Sequence, residues 1–378
     1  MISPSPARGR GSGRGDERSE LPLTLKVKGN SNSLRSSRSP AALRRPVPSG
    51  RGETTRVFCP SSGAVKLLSM SRKIILDCDP GHDDALAMML AVASPELELL
   101  GVTTTYGNVG LDDTTRNALQ ILELCGSSVP VYRGASLPLV RNRISAEFVH
   151  GKSGLEGPAL PLPSRGAETA RAVDFIIDTV LAHPHEVTLC PVGAMTNVAT
   201  AMRLEPKIVP LIQEVVLMGG GTELGNWTPA AEFNILCDPH AAHIIFSSGA
   251  NVTMFGLNVT HQALAMPQHI AAIRAGDNRT SLIAAELLEF FKVAYHQRYG
   301  YEGPALHDPC VIAYLVQPEL FRLDGMNVTV DMSDGPSFGR TVCDIYNVLN
   351  LPENARVAMR VDADGYFDLI AKRLATLP

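Results

Sequence analysis

Residues 73–90 restrict the fold more than any other part of the chain. They open with the apolar run at residues 74–76, which predicts a buried strand. Pro80 and Gly81 then end the strand, because proline has no amide hydrogen to donate and glycine allows a sharp turn. Residues 85–93 consist mainly of strong helix formers. The stretch therefore predicts a strand, a tight turn and a helix, as in an α/β protein.

Four aspartates lie at the end of this strand and the start of this helix: Asp77, Asp79, Asp83 and Asp84. Alternation along a strand turns the carboxylates of Asp77 and Asp79 to the same face. Four carboxylates so close together repel one another, and a hard divalent cation is the usual compensation. Acids at a helix start also cap free amides, but capping needs only one or two of them. Since ligands bind at strand ends in open α/β sheets, the pattern favours a metal site.

Short apolar strands and amphipathic helices alternate through the rest of the chain. Strands are predicted at residues 97–105, 129–132, 187–192, 214–218, 252–255, 327–331, 341–346 and 355–361. Helices are predicted at residues 112–125, 169–183 and 267–299 and at the carboxyl terminus. This alternation indicates a parallel sheet with right-handed crossovers. We expect an open, mostly parallel, Rossmann-like α/β sheet flanked by helices, in a single large domain.

The first part of the chain differs in charge and composition from the rest. Residues 1–69 contain thirteen Lys and Arg against four Asp and Glu, so their net charge of +9 leaves −13 for residues 70–378. Their richness in Arg, Ser, Gly and Pro predicts a disordered basic extension. A transit peptide and an RNA-binding tail are alternatives to a plain unstructured extension. The net negative charge of residues 70–378 argues against nucleic acid as the main partner of that part of the chain.

The cysteine pattern bears on the compartment. Seven cysteines are scattered without paired spacing, which predicts reduced thiols in an intracellular protein. Cys78 lies between two of the aspartates, but alternation turns it toward the core. No run of eighteen apolar residues suggests a membrane span. We expect a cytoplasmic protein that does not bind membranes, unless residues 1–69 direct it to an organelle.

Two motifs resemble those of a known family. Residues 77–84, Asp-Cys-Asp-Pro-Gly-His-Asp-Asp, resemble the amino-terminal signature of the inosine–uridine-preferring nucleoside hydrolases. His307 and Asp308, followed by Pro309, resemble the second signature of the same family. The resemblance runs from about residue 72 to the carboxyl terminus and excludes residues 1–69. It implies hydrolysis of the bond between ribose C1′ and the base of a nucleoside, and a place in nucleoside catabolism and salvage.

The resemblance also implies a metal site built from Asp79, Asp84, the backbone carbonyl of Val192, and Asp308. All these ligands are oxygen atoms and too many for small, rigid Mg²⁺, so the expected ion is Ca²⁺. The ion would fix the ribose diol and lower the pKa of a water, with Asp79 as general base. The transition state would resemble an oxocarbenium ion. His307 would protonate the departing base, with an imidazole pKa suited to neutral pH.

Further residues are expected around the nucleoside. The resemblance implies that the substrate-binding residues are Asp83, Asn108, His150, Met218, Asn226, Glu232, Phe233, Asn234 and Tyr299. In an extended backbone Glu232 and Asn234 would face one side. His150 lies in the long Gly/Pro-rich segment 138–163, which resembles the loop that folds over the substrate in this family. A single tryptophan, Trp227, fits a broad or pyrimidine-preferring member better than a purine-specific one, which would use stacked tryptophans.

Two rival classes remain open at this point. A haloacid-dehalogenase-type phosphatase also begins with Asp-x-Asp after a strand, but Thr or Val should follow rather than Pro80 and Gly81. A non-catalytic Ca²⁺-binding or ribose-binding module of the same fold would keep the ligands and lack turnover. The resemblance further implies a homodimer or homotetramer with a small-molecule nucleoside as its substrate.

Overall fold

The central sheet is built from strands that alternate with helices along the chain. The computed structural model describes residues 71–378, so the predicted disorder of residues 1–69 and their boundary lie outside the described part. The strands are β1 (Arg72–Cys78), β2 (Leu97–Thr104), β3 (Val131–Arg133), β4 (Val187–Pro191), β5 (Glu214–Met218), β6 (Val252–Phe255), β7 (Phe321–Met326), β8 (Val328–Val330), β9 (Thr341–Cys343) and β10 (Ala355–Val361).

The strand order explains the apolar sequences of the inner strands. The main sheet runs β3-β2-β1-β4-β5-β6-β10-β7, and every neighbouring pair is parallel except β10 and β7. Its first six strands follow the Rossmann order, and strands covered on both faces need apolar residues throughout. The prediction of an open, mostly parallel, Rossmann-like α/β sheet is confirmed. The two remaining strands, β8 and β9, form a separate antiparallel pair.

One sheet strand has no counterpart in the sequence prediction. Strand β7 lies at the edge of the sheet, antiparallel to β10, and four of its six residues are not buried. Its sequence, Phe-Arg-Leu-Asp-Gly-Met, therefore lacks the apolar run by which the inner strands were recognised.

Helices cover both faces of the sheet. They are α1 (His82–Val92), α2 (Leu111–Leu124), α3 (Glu147–His150), α4 (Ala172–Ala182), α5 (Thr196–Leu204), α6 (Phe233–Cys237), α7 (Pro239–Phe246), α8 (Leu257–Thr260), α9 (Pro267–Arg274), α10 (Arg279–Tyr299), α11 (Pro309–Val316) and α12 (Ala363–Leu374). Two short 3-10 helices occur at Pro206–Leu211 and Pro318–Leu320. No helix of residues 71–378 combines the length and apolarity needed to cross a bilayer.

The hydrophobic core has two main parts, one on each face of the sheet. Ile74, Leu76 and Cys78 contribute to the part that contains α1, α2, α10, α11 and α12, whereas Ile75 contributes to the part that contains α4, α5 and α7. This alternation confirms the prediction that Cys78 belongs to the core. The six cysteines within the described residues are all free thiols, and five of them are buried.

The fold brings distant loops to one edge of the sheet. Chain connections leave β1 and β4 in opposite directions across the sheet, so a crevice opens beyond their carboxyl ends. Asp79 follows β1 and Val192 follows β4 at this edge, and Met218 ends the adjacent β5. The strand order therefore predicts that any ligand site lies here.

Candidate active site

The turn between β1 and α1 holds its acids by backbone hydrogen bonds. The Asp84 carboxylate accepts hydrogen bonds from the backbone N–H groups of Gly81 and Asp79, at 2.9 and 3.2 Å. An acid in the first helical turn satisfies free amides and interacts favourably with the helix dipole. Asp84 is therefore fixed at the helix start while its side chain also lies on the wall of a cavity.

The Asp79 carboxylate lies in a narrow cradle. Its Oδ2 accepts a hydrogen bond from the backbone N–H of Asn108 at 2.6 Å. A Cβ atom added to Gly107 would lie 2.0 Å from Oδ2 of Asp79, and one added to Gly193 would lie 2.2 Å from Oδ1. Only glycine at both positions leaves room for the carboxylate. The loops after β2 and β4 thus fix the side chain that follows β1.

A cluster of buried acids lies beside Asp79. One carboxylate oxygen from each of Asp83, Asp84 and Asp308 lies within 4.8 Å of the other two. Burial raises the pKa of Asp84 to about 6. Burial, together with repulsion from neighbouring acids, raises the pKa of Asp79, Asp83 and Asp308 well above the usual range. Among the described residues, no ion pair involves any of these four carboxylates.

This donor set fits a hard divalent cation. Four buried carboxylates without a cationic side-chain partner need a positive charge if they are to be ionised together. The backbone carbonyl of Val192 adds a neutral oxygen and accepts a hydrogen bond from Asn234 Nδ2 at 2.6 Å. A carbonyl oxygen has two lone pairs, so this bond leaves one for a cation. Oxygen-only donors match Ca²⁺ or Mg²⁺ rather than a soft metal.

These acids form the floor of a cavity of about 320 Å³ at the carboxyl edge of the sheet. Such a volume lies within the range of small-molecule sites. Every residue expected from the sequence to bind metal or substrate lines this cavity, namely Asp79, Asp83, Asp84, Asn108, His150, Val192, Met218, Asn226, Glu232, Phe233, Asn234, Tyr299, His307 and Asp308. They come from loops separated by more than two hundred residues, and the strand order brings them together.

Glu232 and Asn234 both line the cavity, and the expected extended backbone is present at Glu232 but not at Asn234, which is helical. Glu232 is the residue that caps α6, and Asn234 lies in the first turn of that helix. The Glu232 carboxylate accepts hydrogen bonds from the backbone N–H groups of Gly220, Asn234 and Ile235. Burial nevertheless raises the pKa of Glu232 to about 7. A glutamate at a helix start reads like an extended polar segment in sequence, which explains the error.

Two asparagines hold other parts of the site in place. Asn108 Nδ2 donates hydrogen bonds to the backbone carbonyl of Asp79 and to the Asp84 carboxylate, both at 3.1 Å. Asn226 Oδ1 accepts a hydrogen bond from the backbone N–H of Phe233 at 2.9 Å. Asn108 therefore positions the acids directly, and Asn226 fixes the loop that precedes α6.

Next to the acids, His307 directly precedes Asp308 and forms a hydrogen-bonded chain. Its Nε2 makes a short hydrogen bond with the hydroxyl of Tyr295, and its Nδ1 lies 2.7 Å from the hydroxyl of Thr260. Burial lowers the pKa of His307 well below its ordinary value, so the imidazole is neutral at pH 7. This lowering argues against the imidazole titrating near neutral pH that the sequence suggested, because sequence does not reveal burial. Tyr295 is buried as well, and burial raises the pKa of its phenol.

The loop residue His150 has a partner that sequence reasoning missed. His150 Nδ1 lies 3.1 Å from His82 Nδ1, and His82 Nε2 lies 2.8 Å from the backbone carbonyl of Glu156. The His82 ring stacks on the rings of Phe290 and Phe291. Burial lowers the pKa of His82 to about 4, so its ring is neutral. His82 thus anchors the loop to α1 and α10. The position of His82 between Gly81 and Asp83, inside the first motif, is the sequence feature that could have identified it as a site residue.

Asp77 lies outside the cavity wall. Its Oδ1 accepts hydrogen bonds from the hydroxyl of Thr103 at 2.6 Å and from Asn197 Nδ2 at 2.7 Å. Burial raises its pKa to about 7. Asp77 therefore connects β1, β2 and α5 behind the site, and the fourth acid of the cluster is Asp308 instead.

Several other residues line the cavity that the sequence analysis did not assign to metal or substrate binding. They are Ala146, Phe148, Val149, Trp227, Phe291, Ala294, Tyr295, Gln297 and Arg298. Most lie on the Gly/Pro-rich segment 138–163 or on α10. The sequence shows an aromatic cluster around Tyr295 and Tyr299, but only the structure shows which rings face the cavity.

Comparison with known proteins decides the family. Residues 74–368 match the family described as inosine-uridine preferring nucleoside hydrolase, which is more than half of the chain. The chain belongs to the inosine-uridine preferring nucleoside hydrolase family. It is 43% identical over 299 residues to the pyrimidine-specific ribonucleoside hydrolase RihB of Escherichia coli, and the match covers 79% of this chain and 96% of that protein.

Solved structures of nucleoside hydrolases are similar to this one. A purine-preferring ribonucleoside hydrolase from Gardnerella vaginalis is 38% identical with a TM-score of 0.76, and the match covers 81% of this chain and 98% of that one. A plant nucleoside hydrolase, PpNRh1, is 33% identical with a TM-score of 0.75, covering 80% and 99% respectively. The acidic cluster and the cavity of this nucleoside hydrolase thus lie within the matched region.

Proposed function

We propose that the chain hydrolyses ribonucleosides to ribose and free base in this cavity, with Ca²⁺ held by Asp79, Asp84, the Val192 carbonyl and Asp308. The observation that carries the proposal is the group of buried carboxylates, without a cationic side-chain partner among residues 71–378, on the floor of a cavity of nucleoside size. The family assignment replaces the haloacid-dehalogenase-type phosphatase alternative. When bound, a divalent cation supplies Lewis-acid chemistry that orients hydroxyls and lowers the pKa of water.

Asp79 is the proposed general base. Its cradle leaves the carboxylate no alternative position, so its basic oxygen meets a water at a fixed place. The hydroxyl of that water adds to ribose C1′ while the C1′–N bond breaks, and its proton moves to Asp79. The surrounding carboxylates stabilise the positive charge that develops on the ribose ring. Asp83, Asn108, Asn226, Glu232 and Asn234 are the proposed partners of the ribose hydroxyls.

The leaving base gains a proton from the hydrogen-bonded chain of Tyr295, His307 and Thr260. A neutral His307 has one N–H, and both its neighbours carry hydroxyls that can donate or accept. When Nε2–H donates to the Tyr295 oxygen, the Tyr295 hydrogen is free to point toward the base. Tyr295 can then give its proton to the base as the C1′–N bond breaks, and the phenolate that remains keeps the hydrogen bond from Nε2–H of neutral His307 until a proton from solvent restores the hydroxyl. The raised pKa of the phenol keeps Tyr295 protonated until the base leaves. We propose this route in place of a protonated His307.

The composition of the base subsite favours pyrimidine nucleosides among the substrates. The chain has one tryptophan, so a stacked pair of tryptophans cannot flank a purine. His150, Met218, Phe233 and Tyr299 supply the remaining proposed contacts. The relative from Escherichia coli is pyrimidine-specific, whereas the one from Gardnerella vaginalis is purine-preferring. Ranking kcat/KM for uridine, cytidine, inosine and adenosine separates the two preferences.

The proposal is tested by assaying free ribose from these nucleosides with added Ca²⁺ and after chelation. We expect ribose that depends on Ca²⁺ and more weakly on Mg²⁺. Binding of ribose and Ca²⁺ without release of any base would instead support the non-catalytic binding module.

We propose two further properties, the compartment and the oligomeric state. Free, mostly buried thiols suit a reducing compartment such as the cytoplasm. A homodimer or homotetramer is favoured by exposed apolar side chains in the loop after β9. These are Ile345, Tyr346, Val348, Leu349 and Leu351. Light scattering coupled to size exclusion measures the assembly directly.

A further inference from the structure

The rim of the cavity carries an arginine that the proposed chemistry does not use. Arg298 lies in the last turn of α10 and is exposed to solvent. Its guanidinium donates a hydrogen bond to the backbone carbonyl of Asn226. The guanidinium carbon lies 5.3 Å from the centre of the Phe148 ring and 5.6 Å from that of the Tyr299 ring. An exposed arginine is thus held by a carbonyl and two aromatic faces.

The two aromatic neighbours extend this arrangement across the mouth of the cavity. Phe148 is 60% exposed, yet its ring lies 5.3 Å from that of Trp227. Trp227 in turn lies 4.9 Å from the ring of Phe233, which is buried in the wall. We call Phe148, Trp227 and Arg298 the clasp. The clasp connects three parts of the chain that are far apart in sequence: the Gly/Pro-rich segment 138–163, the loop before α6, and the end of α10.

The clasp bears directly on two groups of the site. Arg298 holds the backbone of Asn226, whose side chain fixes the loop at Phe233. Phe148 precedes His150 by two residues on the short helix α3, so its position also sets that of His150. A large aromatic side chain that is mostly exposed gains little from burial. The clasp contacts therefore matter for how the mouth of the cavity is closed rather than for the core.

We propose that Arg298 is a positioning residue that keeps the clasp closed over a bound nucleoside and so sets the affinity for substrate. This inference rests on the proposed function, because it assumes that the nucleoside occupies the cavity. The clasp lies at the rim, away from the acids, and makes the same contacts before and during bond cleavage. Loss of such an interaction raises KM and leaves kcat nearly unchanged. Lysine would keep the positive charge of Arg298 but would lack the planar guanidinium group that stacks on aromatic rings.

Steady-state kinetics on the full chain with Ca²⁺ give the first test. Arg298→Met should raise KM for the best nucleoside about tenfold, with kcat within about threefold of the native value. Arg298→Lys should restore only part of the affinity, and Phe148→Ala should raise KM in the same direction. The double variant of Arg298→Met and Phe148→Ala should have a KM only slightly above that of the single variant with the higher KM, because both substitutions disrupt the same set of contacts. Arg274→Met, at an exposed arginine in the last turn of α9, is the matched control and should change neither parameter.

Fluorescence gives a second readout that a merely structural role would not move. Trp227 is the only tryptophan of the chain, so its emission reports on the clasp alone. Collisional quenching by acrylamide should fall when saturating ribose is added to the native protein with Ca²⁺. In Arg298→Met this protection should be lost, although the melting temperature stays that of the native chain.

The two proposals fail in different ways. Native KM in Arg298→Met, together with native protection of Trp227 by ribose, would overturn the clasp. A native chain that releases no ribose from any nucleoside would overturn the proposed function instead. The quenching experiment would still decide the clasp in that case, because ribose binding needs no turnover.

Discussion

At the scale of single residues, the cavity contains two sets of buried polar groups that differ in what stabilises them. The acids on the floor repel one another and lack cationic side-chain partners among the described residues. Neutral Tyr295, His307 and Thr260, which adjoin the acids at Asp308, satisfy one another through hydroxyl and imidazole groups. Positive charge from outside the chain is therefore needed by the acids only, whereas the hydroxyl and imidazole groups can transfer protons.

Replacing Tyr295 by phenylalanine should separate these two roles. The variant keeps the ring and its packing on Phe291 but removes the hydroxyl that bonds His307. We expect kcat for nucleosides to fall by roughly 10²-fold, the effect of losing a positioned acid. Hydrolysis of 4-nitrophenyl riboside should be almost unaffected, because nitrophenolate leaves without a proton. Equal losses on both substrates would contradict the proposed proton route.

At the scale of elements, the loop after β4 fixes Asp79 because Gly193 in that loop has no side chain and leaves room for the carboxylate. In Gly193→Ala the new Cβ would lie 2.2 Å from Asp79 Oδ1, so the carboxylate must shift. We expect Ca²⁺ affinity to fall by about 10- to 100-fold, as when other supports of metal ligands are removed. Isothermal titration calorimetry measures it.

Gly166→Ala is the control for this substitution. A Cβ at Gly166 meets nothing within 4 Å, so its Ca²⁺ affinity should be that of the native chain. Unchanged affinity in Gly193→Ala would mean that Asp79 is not a metal ligand or that its cradle is not rigid.

Individual strands, helices and contacts differ in whether the sequence could predict them. Strand β1, the turn after it and helix α1 were predictable because an apolar run, a proline, a glycine and a series of helix formers follow one another in the sequence. Edge strand β7 was missed because its exposed residues interrupt the apolar pattern. The extended conformation expected through Asn234 was wrong because a helix cap and an extended segment share polar residues. The bond from Tyr295 to His307 and the clasp depend on tertiary contacts that no local pattern encodes.

At the scale of the whole molecule, the acidic cluster should couple metal binding to stability and pH. Burial raises the pKa of Asp84 to about 6 and that of its neighbours further. Between the unfolded and folded pKa values the folded, metal-free chain therefore binds more protons than the unfolded one. Its stability is fully present below the unfolded pKa and falls as pH rises through about 6. A bound cation requires ionised carboxylates, so it stabilises more at higher pH.

Thermal melts test this coupling. The increase in Tm produced by saturating Ca²⁺ should be small near pH 5 and several degrees larger near pH 8. The chelated chain should itself melt at a lower temperature near pH 8 than near pH 5. An increase of the same size at both pH values would contradict the assignment of the acids to a cation site.

The most direct test of the central claim compares the native full chain with Asp79→Asn. Asparagine keeps the shape that the cradle accepts but removes the charge and the basic oxygen. With uridine or inosine and saturating Ca²⁺, we predict Ca²⁺-dependent release of ribose by the native chain and a kcat roughly 10²- to 10⁴-fold lower in the variant. Release of ribose by Asp79→Asn at a rate within threefold of the native rate would contradict the claim that Asp79 and its cation carry the reaction.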